Sequence, residues 1–232
     1  MIPDIIPKAY QVFYILIPTI SLIGNSIIVY VTIRSRLLRG PCNIFIALIS
    51  FGDVLHMTGH FIMIISHNMS PTHKIGRNLC SDMQLLAIFG MFFSSWLLLS
   101  AALDRLMSLH TFYKFVILRH AKLYVTVQTS IAAIFAIIAD IGVIFVPHDN
   151  DTMAIVCVGD LLHIKIERFH VNLLAGLFVN FACATNFFVY YAISNEYRRI
   201  FDRYIFIGRF KRMIGAKEPS DAWTAGVDSR TG

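Results

Sequence analysis

The sequence is poor in charged residues and in cysteine. Only 15% of its 232 residues are Asp, Glu, Lys or Arg, whereas 56% are hydrophobic, and soluble domains usually carry about a quarter charged residues. A water-soluble fold is therefore excluded. Four cysteines are too few for a scaffold built on disulfides. The net charge of +6 does not indicate nucleic-acid binding, because the basic residues lie in short connectors between uncharged runs.

The sequence also lacks the motifs of common enzymes. It has no Gly-x-Ser-x-Gly, no His-Glu-x-x-His and no Walker-type phosphate loop. We therefore expect a protein that is not an enzyme and that needs no cofactor.

Long apolar runs are what the sequence has instead. The run from Tyr10 to Ile33 carries no charged residue, and as a helix it would cover about 36 Å, more than the ~30 Å hydrocarbon core of a bilayer. Similar runs cover residues 42–65, 79–106, 123–146 and 169–194. Since backbone groups find no water in lipid, such runs must be helical. The sequence predicts an all-α, multi-pass transmembrane helical bundle with five spans.

The predicted organisation has three parts. Residues 1–195 form the transmembrane bundle. Residues 196–207 repeat apolar side chains at helical spacing opposite a charged face, which is typical of an amphipathic helix on the membrane surface. Residues 208–232 are polar and are expected to be a disordered cytosolic tail.

The distribution of Lys and Arg predicts the orientation. With the N-terminus outside, the cytosolic connectors carry more than twice as many Lys and Arg as the outer ones, as the positive-inside rule requires. The sequons at Asn68 and Asn150 then fall in outer loops, where both could be glycosylated. We expect a plasma-membrane protein with an outer N-terminus and a cytosolic C-terminus.

Three polar residues lie deep inside the predicted spans. Asp53 is about 16 Å from the cytosolic end of its span, and Asn25 and Asn186 are about 12 Å from theirs. A charge at such depth must be partnered, hydrated or protonated. One interpretation is a switchable network able to hold a sodium ion or a proton. The other is a set of hydrogen bonds that simply hold the helices together. The sequence does not distinguish between these two roles.

Other polar residues have competing interpretations. His56 and His60 follow Asp53 on one helix face and could relay protons or bind metal, although helix packing is favoured because no third ligand is evident. Asp104 and Arg105 could simply anchor the end of the third span. Cys80 and Cys157 both lie on the predicted oxidising side, where a bridge would pin the outer loop. Cys42 and Cys183 are expected to be free thiols.

Several short motifs follow one another in a fixed order. They are Gly24-Asn25 in the first run, Cys42-Asn43-Ile44-Phe45-Ile46-Ala47-Leu48 with Asp53 in the second, Cys80 followed 25 residues later by Arg105 in Asp104-Arg105-Leu106, and Asn186-Phe187-Phe188-Val189-Tyr190 before Tyr197-Arg198. Their order and spacing resemble the rhodopsin-like G-protein-coupled receptors, and most of all the SX class of nematode serpentine chemoreceptors.

The resemblance implies a role for each matching residue. Asn25, Asp53 and Asn186 would form the core polar network, with Tyr190 as the tyrosine linked to activation. Asp104 and Arg105 would form the cytosolic lock that couples to a heterotrimeric G protein, and Cys80 with Cys157 would form the outer disulfide. Ala87 stands where amine receptors carry an acid, which disfavours a biogenic amine as ligand.

The sequence departs from the family pattern at several points. Phe187 replaces the proline of Asn-Pro-x-x-Tyr, and Leu106 replaces the tyrosine of Asp-Arg-Tyr. The fifth span resembles the family's last helix, which leaves no counterparts of its fifth and sixth helices. In an alternative alignment this span is the family's fifth helix and the later ones are absent.

These observations give three functional hypotheses. The first is a chemoreceptor-like membrane protein that senses a small molecule or peptide and is signalling-incompetent if the two helices are absent. The second is a non-signalling membrane partner of full-length receptors, which would form receptor oligomers. The third is a small proton-coupled transporter that uses Asp53, His56 and His60.

Overall fold

The computed structural model describes residues 8–69, 75–107, 119–145, 153–154 and 169–204. Its helices are α1 (Lys8–Arg34), α2 (Pro41–Met69), α3 (Arg77–Met107), α4 (Ala121–Phe145), α5 (Phe169–Ile193) and α6 (Asn195–Tyr204). Two short strands, β1 (Ile75–Gly76) and β2 (Met153–Ala154), pair in antiparallel register. The prediction of a five-span helical bundle is confirmed, because α1 to α5 each contain an apolar stretch long enough to cross a membrane.

A tight connection joins α1 to α2. The chain leaves α1 through a single 3-10 turn at Arg36–Leu38, and Leu38 in that turn is fully buried. Pro41 is the first residue of α2, where its missing N–H costs nothing and its fixed φ suits a helix. The connection therefore holds these two helices side by side.

The five long helices pack as an open arc in the order α4, α3, α2, α1 and α5. The closest approach is between α2 and α3, where a Cβ placed on Gly90 would lie only 2.5 Å from the carbonyl oxygen of Gly52. Small residues allow such backbone contact between helices in lipid. Within the described residues, α5 makes no extensive contact with α3 or α4.

The position of α5 bears on its alignment with the resembled family. It packs along α1 and is followed directly by α6. The first and last helices of a closed ring are neighbours, so this position favours alignment with the family's last helix rather than its fifth.

The apolar face of α6 packs against the bundle. Tyr197, Ile200 and Phe201 are at most 4% exposed. They form one cluster with residues of α1 and the following turn, namely Ile28, Val31 and Leu38. Protein, rather than lipid alone, therefore covers this face. Residues 205–207 of the predicted surface helix and the predicted tail at 208–232 lie outside the described residues.

Candidate functional site

The first polar centre is built around Asp53 in the middle of α2. Asp53 is only 3% exposed, and the Nδ2 of Asn186 in α5 donates a hydrogen bond to its Oδ2 over 2.9 Å. The Ser94 hydroxyl of α3 and the Cys183 thiol of α5 also face the carboxylate. Two neighbouring helices, α3 and α5, thus supply the polar partners that a carboxylate at this depth requires.

Asn25 joins this centre indirectly. It is 1% exposed, and its Nδ2 donates to Ser21 Oγ over 3.0 Å and to the carbonyl oxygen of Cys183 over 3.1 Å. The same Cys183 presents its thiol to Asp53. The structure therefore brings Asp53 and Asn186 together directly, and it connects Asn25 to them through one turn of α5.

The donor set around Asp53 limits which ion could bind. Among the described residues, no group of three His, Cys, Asp or Glu could hold a metal ion. The atoms next to Asp53 are a hydroxyl, an amide and a thiol. Only the carboxylate and the Ser94 hydroxyl offer hard oxygen atoms, which suit an alkali or alkaline-earth cation better than a transition metal, whereas the amide turns its N–H to the acid and the thiol is a soft donor.

A second polar contact lies at the end of α3, where Asp104 is half-buried and Arg105 is exposed. The Nη2 of Arg105 donates to Sγ of Cys42 in the first turn of α2. Cys42 is a free, half-buried thiol, as expected, but its contact with Arg105 was not predicted. The contact ties the end of α3 to the start of α2.

Tyr190 connects the core of the bundle to α6. Its ring packs on Tyr197 of α6, with 5.6 Å between the ring centroids. The hydroxyls of Tyr197 and Thr32 in α1 are 3.2 Å apart, and burial raises the pKa of Tyr197 to about 12. Tyr191 also bonds α6, since its hydroxyl donates to Asp202 over 2.9 Å. Movement of α5 near Tyr190 would therefore disturb α6.

A third polar cluster lies toward the opposite end of the bundle. The His60 ring is 5.3 Å from the rings of both Tyr14 and His56. Asn180 of α5 is fully buried and faces His60. Within the described residues, neither the amide atoms of Asn180 nor the Nε2 of His60 has a hydrogen-bond partner. Unsatisfied buried groups of this kind are costly, and a bound polar molecule could satisfy them.

The remaining predicted residues lie at or beyond the ends of the helices. Cys80 is buried and disulfide-bonded. Cys157 and Asn150 lie outside the described residues, so the pairing of Cys157 with Cys80 and the glycan on Asn150 stay predictions.

The predicted loop position of Asn68 is wrong. Asn68 lies in the last turn of α2, and its Nδ2 donates to the carbonyl oxygen of Ile64 over 2.8 Å. Ser66 likewise donates to the carbonyl oxygen of Met63. These two local bonds satisfy the polar side chains within the helix, which therefore continues past the end of its apolar run.

Three residues of the polar centres were not predicted from the sequence: Tyr14, Ser94 and Asn180. Asn180 carried a usable signal, because it is an amide inside an uncharged apolar run, as Asn186 is. The other two carried none. A hydroxyl can bond within its own helix, so its type does not reveal whether it faces another helix.

Comparison with known proteins agrees with this arrangement. The family model described as serpentine type 7TM GPCR chemoreceptor Srsx matches residues 18–162, which include most of α1 and all of α2, α3 and α4. The chain is also similar to opsin Rh6 of Drosophila melanogaster, with 33% identity over 90 residues. That stretch is 38% of this chain and 24% of the opsin, so the chain spans only about a quarter of the length of the relative it matches. The matched class consists of receptors rather than enzymes, and the chain belongs to the Srsx family of serpentine chemoreceptors.

Proposed function

We propose that this protein is a chemosensory receptor-type protein of the plasma membrane that binds a small molecule or a short peptide among its helices. In the proposed orientation its N-terminus is outside and its C-terminus is cytosolic. The observation that carries the proposal is the pair His60 and Asn180: within the described residues, the Nε2 of His60 and both amide atoms of Asn180 are buried and lack hydrogen-bond partners. A ligand with one donor and one acceptor would satisfy the two amide atoms of Asn180, and a further polar group on it would reach the Nε2 of His60.

The Asp53 centre and the His60 cluster share α2 and α5, which gives a route from ligand to network. Asn180 precedes Asn186 by six residues of α5, or about 9 Å along the helix axis. A ligand that pulls on Asn180 would shift the helix that also carries the bond to Asp53. Membership of a chemoreceptor family supports this use of the two centres.

Signal output is assigned to the other end of the bundle. Arg105 is the residue that we propose for contact with a heterotrimeric G protein, and its bond to Cys42 would hold it in a resting position. The described part of the chain has five candidate spans, and we align α5 with the family's last helix because it packs along α1. We therefore expect the chain alone to bind its ligand without activating a G protein.

An arrayed ligand screen tests the proposal. The protein in lipid nanodiscs would be heated in the presence of small alcohols, ketones, esters and short peptides, with unfolding followed by the reactivity of its free thiols. A compound present at a hundredfold excess over its Kd should stabilise the folded state by about 2.7 kcal/mol. The effect should be lost in Asn180→Leu and kept in Ser95→Leu, which removes an exposed hydroxyl bonded within its own helix.

The screen can contradict the proposal in two ways. Equal stabilisation of Asn180→Leu and the unaltered protein would remove the polar pair from ligand binding. A panel in which no compound changes the unfolding temperature would count against a sensory role.

For the output, Arg105→Ala should leave membrane insertion intact and abolish any G-protein activation that a cell assay detects.

The open side of the arc favours a second candidate, the non-signalling partner of full-length receptors. Phe178, Phe181 and Phe188 of α5 are 57–70% exposed, and α5 makes no extensive contact with α3 or α4 in the described part of the chain. Helices of a second receptor could pack there. Co-purification with a full-length relative, reduced by Phe181→Ala but not by Phe145→Ala on α4, would support this candidate.

A further inference from the structure

A groove runs between the end of α1 and the first half of α2, next to the turn that connects them. Its volume is about 400 Å³, which lies in the range of small-molecule sites. Val29 and Ile33 form one wall, and Ala47, Leu48 and Phe51 form the other. None of the polar centres described above borders it.

The walls of the groove offer no free polar side-chain atom between its two ends. Thr32 also lines it, but its hydroxyl donates to the carbonyl oxygen of Ile28 over 2.8 Å and lies 3.2 Å from the Tyr197 hydroxyl. Thr32 therefore brings no unsatisfied polar atom to the groove. A molecule that fills the groove must therefore be hydrocarbon along most of its length.

One end of the groove is charged. Arg39, at the end of the 3-10 turn, borders the groove and is exposed, and no carboxylate pairs with it in the part of the chain that the structure describes. Leu38 closes the same end from inside and is fully buried. An occupant must therefore combine an apolar body with a group that complements a cation.

We propose that this groove binds one anionic glycerophospholipid, with an acyl chain between α1 and α2 and the phosphate against Arg39. Charge complementarity selects this occupant over a neutral sterol, which offers Arg39 only a hydroxyl, and over a zwitterionic lipid, whose own cation partly cancels the attraction. A basic residue near an anionic headgroup strengthens binding about fivefold. The α1–α2 hairpin is thereby fixed to one leaflet.

Native mass spectrometry of the detergent-purified chain tests this site. Phosphatidylserine and phosphatidylcholine of equal chain length would be titrated separately, and the dissociation constant of the first bound lipid compared. We expect phosphatidylserine to bind about fivefold more tightly. Arg39→Gln should abolish this preference, whereas Arg36→Gln, which removes an exposed charge that does not border the groove, should keep it.

A second pair of variants tests the apolar part. Ala47→Phe fills the groove and should weaken the first binding event for both lipids, while Ala182→Phe adds the same bulk at an exposed position of α5 and should not. Circular dichroism and gel filtration establish that each variant is folded.

Three results would overturn the proposal. Equal losses in Arg39→Gln and Arg36→Gln would show a diffuse electrostatic attraction instead of a site. Unchanged binding in folded Ala47→Phe would place the lipid elsewhere. Displacement of phosphatidylserine by equimolar cholesterol would identify a sterol groove.

Discussion

The hydrogen bond between Asn186 and Asp53 allows the most direct test of the bundle's core. Replacing Asn186 by Leu keeps the branched shape of the side chain and removes the amide that donates to the carboxylate over 2.9 Å. A hydrogen bond to a charged group contributes about 1.5–3 kcal/mol. Ser94 and Cys183 still face the acid in this variant, so we expect a loss of about 2 kcal/mol in the free energy of unfolding.

A double-mutant cycle separates this bond from other effects of the substitutions. Asp53→Leu, Asn186→Leu and the double variant would be unfolded reversibly in bicelles, because Leu at either position removes the hydrogen bond. Hydrogen bonds between membrane helices average about 0.6 kcal/mol and reach about 1.7 kcal/mol, whereas bonds to charged groups contribute about 1.5–3 kcal/mol. We expect a coupling energy of about 1.5 kcal/mol, because the acceptor is a carboxylate that is almost fully buried.

The size of the coupling also decides between the two interpretations of the network. A value near about 0.6 kcal/mol would indicate ordinary interhelical glue. A value within about 0.3 kcal/mol of zero would refute the reasoning, because it would mean that Asp53 and Asn186 are independent. Thr185→Ala is the matched control, since its hydroxyl donates to Ala182 within α5 and should not couple to Asp53.

Three further predictions follow from other contacts. Gly90→Ala should destabilise the bundle by about 1–3 kcal/mol in the same unfolding assay, because the new Cβ meets the backbone of α2, whereas Gly142→Ala meets open space and should not destabilise it. Asn150→Gln should remove most of the tunicamycin-sensitive mobility shift on gels, and Asn68→Gln little of it, because the amide of Asn68 is bonded within α2. Stability should fall as the pH rises from about 10 to about 12, since Tyr197 ionises in the unfolded chain before its raised pKa of about 12 is reached in the folded one; Tyr197→Phe should flatten that part of the curve.

The spans could be predicted from the sequence because lipid leaves few alternatives. A run without charge from Tyr10 to Ile33 can satisfy its backbone in a bilayer only as a helix. The depth of Asp53 and Asn186 also follows from counting residues, which is why their proximity could be anticipated. The ends of the helices were less predictable, since the continuation of α2 to Met69 depends on bonds made by individual side chains.

Contacts that depend on helix rotation could not be predicted. The bond between Arg105 and Cys42 requires a particular face of α3 to meet α2, and the backbone contact at Gly90 sets that geometry. Sequence periodicity was of little help, because a helix surrounded by lipid can be apolar on all sides. The burial of Tyr197 against α1 could not be predicted from the sequence for a similar reason, since an apolar helix face can pack equally well on lipid or on protein.

The three polar contacts lie in different parts of the bundle, which fits the proposed separation of ligand binding from signal output. The Asp53 centre uses α2, α3 and α5, the His60 cluster uses α1, α2 and α5, and Arg105 bonds α3 to α2. None of them draws on α4, and none requires a helix between α4 and α5. The proposed ligand contacts and the central network can therefore form without counterparts of the family's fifth and sixth helices. If those helices drive G-protein activation, a chain without counterparts of them should lack output and keep the ligand-dependent stabilisation and the Asp53 coupling. Loss of all three together would instead mean that the polar centres need a larger bundle to form.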